Sequence, residues 1–253
     1  MLKRDRIFFG LQRTLTWAQE FIVDKTMTPR HQKRLGEYKQ YVQNLEHAIE
    51  TVKIDCAEEV SLILKQDLPF VERWSNASEN IHRWHGSSEL ARLCFAVCRL
   101  LRPRIVLETG VGAGVTSWAI LQGLAENKFG HLHSIDLPTP RSTGLIEIGY
   151  LVPKDLRGRW TKHFGPSRAI LPKLVCEMQP LDLFVHDSRH SYHNQKMEYT
   201  TVWPYLKAGG ILISDDVRTD ALLEVSEHWK INPIIIEQGK QFPVGMLIKP
   251  RNA

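Results

Sequence analysis

Residues 104–117, RIVLETGVGAGVTS, decide the fold: a short apolar run, an acid, and three glycines on alternate positions. Ile105, Val106 and Leu107 form a continuous apolar run, the pattern of a strand buried on both faces. Glu108 closes the run. Gly110, Gly112 and Gly114 permit a tight turn and close backbone approach before a helix that starts near Val115. The next apolar strand, HLHSID, ends on Asp136, 22 positions after Gly114. In a nucleoside-binding α/β unit, an acid about 20 residues beyond the glycines accepts from the ribose hydroxyls. A carboxylate directly before the glycines would repel a pyrophosphate and suits a ligand that carries an ammonium group.

Downstream, apolar runs and helical patterns alternate. WTKHF (160–164) reads as a strand, followed by Gly165–Pro166–Ser167 and a helix from Arg168 to Met178. LDLFVH (181–186) is a clear strand, and residues 193–206 read as a helix with Gly209–Gly210 turning into the strand ILISDD. A helix over 219–230 precedes two short, closely spaced strands, NPIIIE and PVGMLIK. The alternation predicts an α/β, Rossmann-like, mainly parallel seven-stranded sheet with helices on both faces and a C-terminal antiparallel hairpin.

Upstream, SSELARLCFAVCRLLRP (87–103) is a helix stopped by Pro103. Leu35, Tyr38, Val42, Leu45, Ile49, Val52 and Cys56 alternate steps of three and four, the a/d seam of three heptads. Residues 57–82 read as mainly helical, broken at Pro69 and Asn76–Ala77–Ser78. Phe8, Leu11, Leu15, Ala18 and Ile22 share one face of a further amphipathic helix. Residues 1–86 therefore read as a helical extension, a cap or an oligomerisation element, ahead of a domain at 87–253. The seam points to a homo-oligomer; contact of the N-terminal basic helix with a membrane surface is the lesser expectation.

With 253 residues, 43% of them hydrophobic and 24% charged, the chain has the composition of an ordinary globular protein with one sizeable core. It contains no apolar run of the roughly 18–20 residues that cross a bilayer, and no signal-peptide pattern is expected. Cys56, Cys94, Cys98 and Cys176 show no framework spacing; Cys94 and Cys98, i,i+4 on a helix among apolar residues, read as buried thiols, and a cytoplasmic setting is expected. The net charge is +5, and residues 1–40 alone carry nine Lys/Arg against four Asp/Glu. The remainder is balanced and has no basic stripe interleaved with aromatics, so no nucleic-acid partner is expected.

Ligands of an open parallel sheet bind beyond the carboxyl ends of its strands. Those ends carry Glu108, Asp136, Asp187 and the pair Asp215–Asp216. So many carboxylates on one rim are costly without a cation. Asp187, Asp215 and Asp216 suit a hard divalent ion such as Mg²⁺. The pair is also what a capped loop after a strand looks like, and Asp187 alone would serve as an N-cap. His190, three residues past Asp187, is placed to take a proton from a hydroxyl. His186 and His193 read as structural.

The order E-x-G-x-G-x-G, with a second acid closing the next strand, resembles motif I of class I S-adenosylmethionine (SAM) methyltransferases. Leu151–Val152–Pro153, Arg159–Trp160, Gly165-x-Ser167, Leu171–Pro172, LDLFVHDSRHSY and LKAGGILISDDV narrow the resemblance over roughly residues 87–249. They are similar to bacterial enzymes related to macrocin O-methyltransferase and the cephalosporin-hydroxylase-like proteins. The resemblance implies that Glu108, Gly110, Gly112 and Gly114 hold the methionine part of SAM. It counts Ser117 among the cofactor residues, gives Asp136 the ribose and places Ser167 near the adenine. It also implies a metal on Asp187, Asp215 and Asp216, with His190 in a D-x-x-H-x-Y signature and catalytic roles for His190 and Asp187. Pro166 stands where relatives carry an acid. The expectation is a metal-assisted SAM-dependent O-methyltransferase for a hydroxyl of a sugar, glycosylated metabolite or catechol-like small molecule. The alternatives are a metal-independent enzyme using His190 as base, or a non-catalytic SAM-fold binding protein. A carboxylate ahead of the glycines speaks against a nicotinamide-dependent oxidoreductase, and no N/D-P-P-Y/F tetrapeptide marks a nucleic-acid methyltransferase.

Overall fold

A computed structural model describes residues 36–52, 58–59, 62–63, 72, 88–137, 147–238 and 241–251. Strands are β1 (Val42–Gln43), β2 (Ile105–Thr109), β3 (His131–Asp136), β4 (Trp160–Phe164), β5 (Leu181–His186), β6 (Leu206–Ser214), β7 (Ile234–Gln238) and β8 (Gln241–Ile248). The helices of six residues or more are α1 (Leu45–Glu50), α2 (Ser88–Leu101), α3 (Val115–Glu126), α4 (Ser167–Met178), α5 (Tyr192–Val202) and α6 (Ala221–Trp229). The expected N-terminal amphipathic helix and most of the helical stretch at 57–82 lie outside the described residues.

The sheet runs β1-β7-β8-β6-β5-β2-β3-β4, parallel throughout except where β8 lies antiparallel to β6 and β7. From β2 the chain builds outward to β3 and β4; from β5 it builds the other way to β6. The order therefore reverses between β2 and β5, and the crevice beyond their carboxyl ends is where this architecture binds ligands. All six residues of β5 are buried, as befits the centre of a sheet covered on both faces. At the opposite end Asp182 Oδ2 accepts from the backbone N–H groups of Arg104 and Ile105, both at 2.9 Å, while Lys207 pairs with its other oxygen.

One core joins α1, α2 and α3 to one face of the sheet through Phe95, Leu121 and Leu124; the other holds α4, α5 and α6 through Leu171, Tyr199 and Leu223. Helices α2 and α3 approach closely at Gly123, where a Cβ would sit 2.8 Å from Cys98 Cβ. Cys94 and Cys98 are free and buried there, packed as small apolar side chains.

Several expectations are corrected. The sheet has eight strands, not seven, because Val42–Gln43 pairs in parallel with Ile235–Ile236. The seam at 35–56 is accordingly not one continuous helix. A 3₁₀ turn (Gly36–Tyr41) precedes β1, and Asn44, whose side chain accepts from the His47 N–H, starts α1 afresh. Tyr38, Leu45, Ile49 and Val52 of the seam pack in or against this chain's own core, whereas Val42 is exposed. Ala48 and Ile49 are fully buried. The Tyr38 hydroxyl donates to Thr219 O at 3.0 Å and accepts from the Leu223 N–H at 2.9 Å, tying this segment to the start of α6. Helix α5 stops at Val202, short of the expected 206, because Pro204 follows in a 3₁₀ turn. Gly209 and Gly210 lie inside β6, where Gly209 at φ 76° marks an irregularity opposite Leu181–Leu183.

On β3 and β4, His131, His133 and His163 share one face, with His133 Nδ1 3.3 Å from His163 Nε2. Burial, reinforced by its histidine neighbours, lowers the His133 pKa from 6.5 to about 4. The unfolded chain thus binds more protons between those values, so stability falls as the pH drops from 6.5 to 4. Urea unfolding across this window should show a weaker dependence in His133→Gln than in the parent; equal dependence would remove His133 as a cause.

Candidate active site

The glycine turn crosses from β2 to α3 with Gly110, Gly112 and Gly114 at φ 87°, 54° and 96°. Two of them are required by packing. A Cβ on Gly110 would lie 2.0 Å from the Asp187 carbonyl oxygen, and one on Gly114 would lie 2.7 Å from Gly149 Cα. Gly112 is exposed, and its N–H donates to Asp136 Oδ2 at 3.0 Å. Segment 149–151 clamps the turn, with Gly149 N–H donating to Gly112 O and Leu151 N–H to Ala113 O, both at 3.0 Å.

The two acids expected to meet the cofactor are placed differently from each other. Glu108 is fully buried beneath the turn; its Oε2 accepts from Ser117 Oγ at 2.7 Å and Ser134 Oγ at 2.6 Å, and Oε1 has no hydrogen-bond partner. Burial raises its pKa to about 7 despite both serines. Ser117 is likewise fully buried, so it reaches the ligand side only through Glu108. Asp136 stands at the end of β3 and its Oδ2 accepts from the N–H groups of Val111 and Gly112, each at 3.0 Å. It holds the turn in shape. The orphaned Glu108 oxygen under an exposed glycine backbone fits a ligand with a positive group.

Across the crevice, the ends of β5 and β6 bring together Asp187, His190 and Asp215, whose donor atoms lie within 4.8 Å of one another. His190 Nε2 is 3.9 Å from Asp187 Oδ1 and 3.9 Å from Asp215 Oδ2, and it has no hydrogen-bond partner. These separations are too long for hydrogen bonds and match two ligands of one ion, which stand about 3–4 Å apart when each is about 2 Å from the metal. Asp216 occupies the other side of the ring, its Oδ2 3.2 Å from His190 Nδ1. Of the expected metal set, Asp187 and Asp215 lie in this cluster with His190, and Asp216 faces the ring's other nitrogen. Thr116 Oγ1 donates to Asp187 Oδ2 at 2.9 Å, and Gln238 Nε2 to Asp215 Oδ1 at 3.3 Å. Burial first and Asp215 second push the Asp187 pKa well up; burial and then Asp216 raise Asp215 to about 6. Burial lowers that of His190, whose imidazole is therefore neutral at pH 7. The donor set fits a divalent cation, which would relieve both carboxylates.

Beneath this cluster is a buried network that sequence reasoning missed. Glu198 is fully buried and accepts from His186 Nδ1 (2.7 Å), Thr109 Oγ1 (2.5 Å), Ser188 Oγ (3.0 Å) and Asn194 Nδ2 (3.1 Å). Ser167 adds a further hydrogen bond, so the residue expected near the adenine supports this network. His186, read as structural, packs edge-on against His190 with ring centroids 5.5 Å apart. The signal was present in α5: Ser191, Asn194, Gln195 and Glu198 repeat at helical spacing, and all are buried. Polar residues on an inward face mark a network rather than a solvated stripe. Glu198→Ala would strand these donors and a buried histidine, at a cost of about 3–5 kcal/mol in denaturant unfolding, with Glu198→Gln losing less. A loss under about 1 kcal/mol would contradict the buried hub.

Residues 107–217 match the protein family described as a methyltransferase domain. No curated protein matches the chain in sequence. Among solved structures, an O-methyltransferase from Bacillus cereus in complex with S-adenosylhomocysteine (SAH) is 15% identical, covers 79% of this chain and 100% of its own, and superposes with a TM-score of 0.56. An O-methyltransferase of tomaymycin synthesis from Streptomyces achromogenes, in complex with SAM, is 15% identical over 73% of this chain and 91% of its own, with a TM-score of 0.57. A putative caffeoyl-CoA O-methyltransferase from Staphylococcus aureus is 13% identical over 78% and 100%, with a TM-score of 0.59. These likenesses show the fold. The matched stretch, residues 107–217, takes in β2 to β6 of the eight-stranded Rossmann-like sheet.

Proposed function

We propose that this chain is a SAM-dependent O-methyltransferase, assisted by a divalent cation, that acts on a hydroxyl of a sugar, a glycosylated metabolite or a catechol-like small molecule. Its motifs favour the macrocin O-methyltransferase and cephalosporin-hydroxylase-like group. The observation that carries the cation is the line Asp216–His190–(Asp187, Asp215): a carboxylate on one ring nitrogen and two carboxylates equidistant from the other. Metal-bound histidines commonly donate their second ring N–H to such a carboxylate.

When bound, SAM supplies a methyl group on an already activated sulfonium, and a divalent cation lowers the pKa of an acceptor hydroxyl. Glu108 supplies negative charge beneath the turn for the cofactor's ammonium, while Asp136 keeps the turn in the conformation the ribose meets. Asp216, 3.2 Å from Nδ1, favours the tautomer that carries its proton there and leaves the Nε2 lone pair toward the cluster. Thr116 and Gln238 fix the two carboxylates. Their task is alignment, since most of the barrier to methyl transfer yields to near-attack geometry. If Nε2 held a cation, a neighbouring carboxylate would be left to accept the acceptor's proton. A metal-free reading, with Nε2 as the base, is favoured by the same orphaned nitrogen. An imidazole in the set favours Mn²⁺ or Zn²⁺ over Mg²⁺. The same reading places the enzyme in the cytoplasm, with residues 1–86 as a cap or subunit-joining extension of the domain at 87–253.

Calorimetric titration of SAH and of Mn²⁺, separately and in sequence, tests this. SAH should bind, and Asp136→Ala should weaken SAH without touching Mn²⁺. Mn²⁺ should bind the parent protein, at least about tenfold more weakly in His190→Gln and about 10–100-fold more weakly in Asp216→Asn. Because Asp215 must lose its proton to act as a ligand, Mn²⁺ affinity should fall as the pH drops through about 6. Absence of SAH binding would end the methyltransferase reading; SAH binding with no response to Mn²⁺, Zn²⁺ or Mg²⁺ would leave His190 as the base.

A further inference from the structure

After Asp215 the chain makes a sharp turn. Asp216 takes the left-handed conformation at φ 45°, and the Arg218 N–H closes onto Asp216 O at 2.7 Å. The Arg218 side chain thereby folds back toward the loop that carries the cluster, and its Nε donates to the His190 carbonyl oxygen at 3.1 Å. Its guanidinium carbon lies 5.6 Å from the centre of the Phe242 ring. Phe242 is itself held in place: Gln238 Nε2 donates to Phe242 O at 2.7 Å, and Val217 N–H to Pro243 O at 2.8 Å. Two features bear on what this corner can bind. Phe242 is 46% exposed, an apolar surface beside the guanidinium. Arg218 is exposed next to several carboxylates, yet among the described residues it forms no ion pair and makes no hydrogen bond other than the one from Nε.

An arginine in such company ordinarily pairs with a carboxylate. Here the Arg218 charge reaches Asp216 only through space and draws its pKa down against the rise that burial causes, and the edge bearing Nη1 and Nη2 keeps its donors without a protein partner among the described residues. That edge is a planar fork matched to two oxygens of one oxyanion. We propose that Arg218, backed by Phe242, binds a carboxylate of the acceptor, so that the substrate class is a hydroxylated ring or chain bearing a carboxylate near the hydroxyl to be methylated. The inference rests on the methyltransferase reading for the identity of the reaction. Phe242 covers the apolar face of the acceptor, while the Asp187–His190–Asp215 cluster faces its hydroxyl. Because the same rim carries Asp187, Asp215 and Asp216, an anion is repelled until a cation occupies the cluster; carboxylate and cation therefore bind cooperatively.

The probes are 3,4-dihydroxybenzoate and 3,4-dihydroxybenzamide, titrated calorimetrically into the full chain in the presence of SAH and Mn²⁺. The benzoate should bind about tenfold more tightly than the amide, and more tightly with Mn²⁺ than without it. In Arg218→Ala the two probes should come within about twofold of each other, and Arg218→Lys, which keeps the charge and loses the fork, should restore only part of the preference. Phe242→Ala should weaken both probes alike. Equal binding of the probes to the parent protein, or a preference that survives in Arg218→Ala, overturns the proposal. SAH binding in the same samples separates the two failures. SAH binding with no carboxylate preference sinks this inference alone. A carboxylate preference lost in Arg218→Ala without SAH binding supports the oxyanion site and sinks the methyltransferase reading.

Discussion

Burying a carboxylate without a partner costs several kcal/mol, and this chain gathers Glu108, Asp187, Glu198, Asp215 and Asp216 at one end of its sheet. They are met unequally, and the differences organise the site. Glu198 is surrounded by donors from β2, β5, α5 and the β5–α5 loop, so that it stays ionised and fully satisfied. Glu108 has two serines and a pKa near 7, close to holding a proton of its own. Asp187 and Asp215 have one neutral donor each and a bare imidazole nitrogen between them. That is the charge the fold leaves for something else to meet.

The scaffold explains why these groups stay apart. The reversal of strand order between β2 and β5 opens the crevice, and Gly110 lets the two strand ends close to within contact of the Asp187 backbone. In the proposed reading the cofactor side belongs to the β2–α3 turn and β3, and the cation side to the ends of β5 and β6. Between them runs the inward polar face of α5, which reaches Asp216 through Gln195 and the β5–α5 loop through Asn194. The extension contributes too, since Tyr38 anchors the loop before α6.

Much of this was legible in the sequence. Strand ends are where apolar runs stop, so Asp187, Asp215 and Asp216 could be set on one rim by counting strands, and His190 followed from its distance to Asp187. What could not be read was the partner of each acid. Whether His190 or Asp216 completes the trio with Asp187 and Asp215 depends on a left-handed turn at Asp216 that no local pattern announces. Glu198 acquires its meaning only when Thr109, 89 positions away, arrives beside it. The eighth strand was hidden because two residues paired at a sheet edge leave no period, and the surrounding a/d spacing outweighed them. The glycines were read as a tight turn that lets the backbone approach a ligand, and two of the three are required by packing as well.

The central claim is that Asp187, His190 and Asp215 form one nitrogen- and oxygen-ligated cation site. Pulsed electron paramagnetic resonance on the Mn²⁺-loaded protein tests it most directly, because it detects an imidazole nitrogen bonded to the ion. The account predicts a single nitrogen coupling in the parent protein that disappears in His190→Gln and persists in Asp216→Asn. Bound Mn²⁺ with no nitrogen coupling, or a coupling unaffected by His190→Gln, would contradict it.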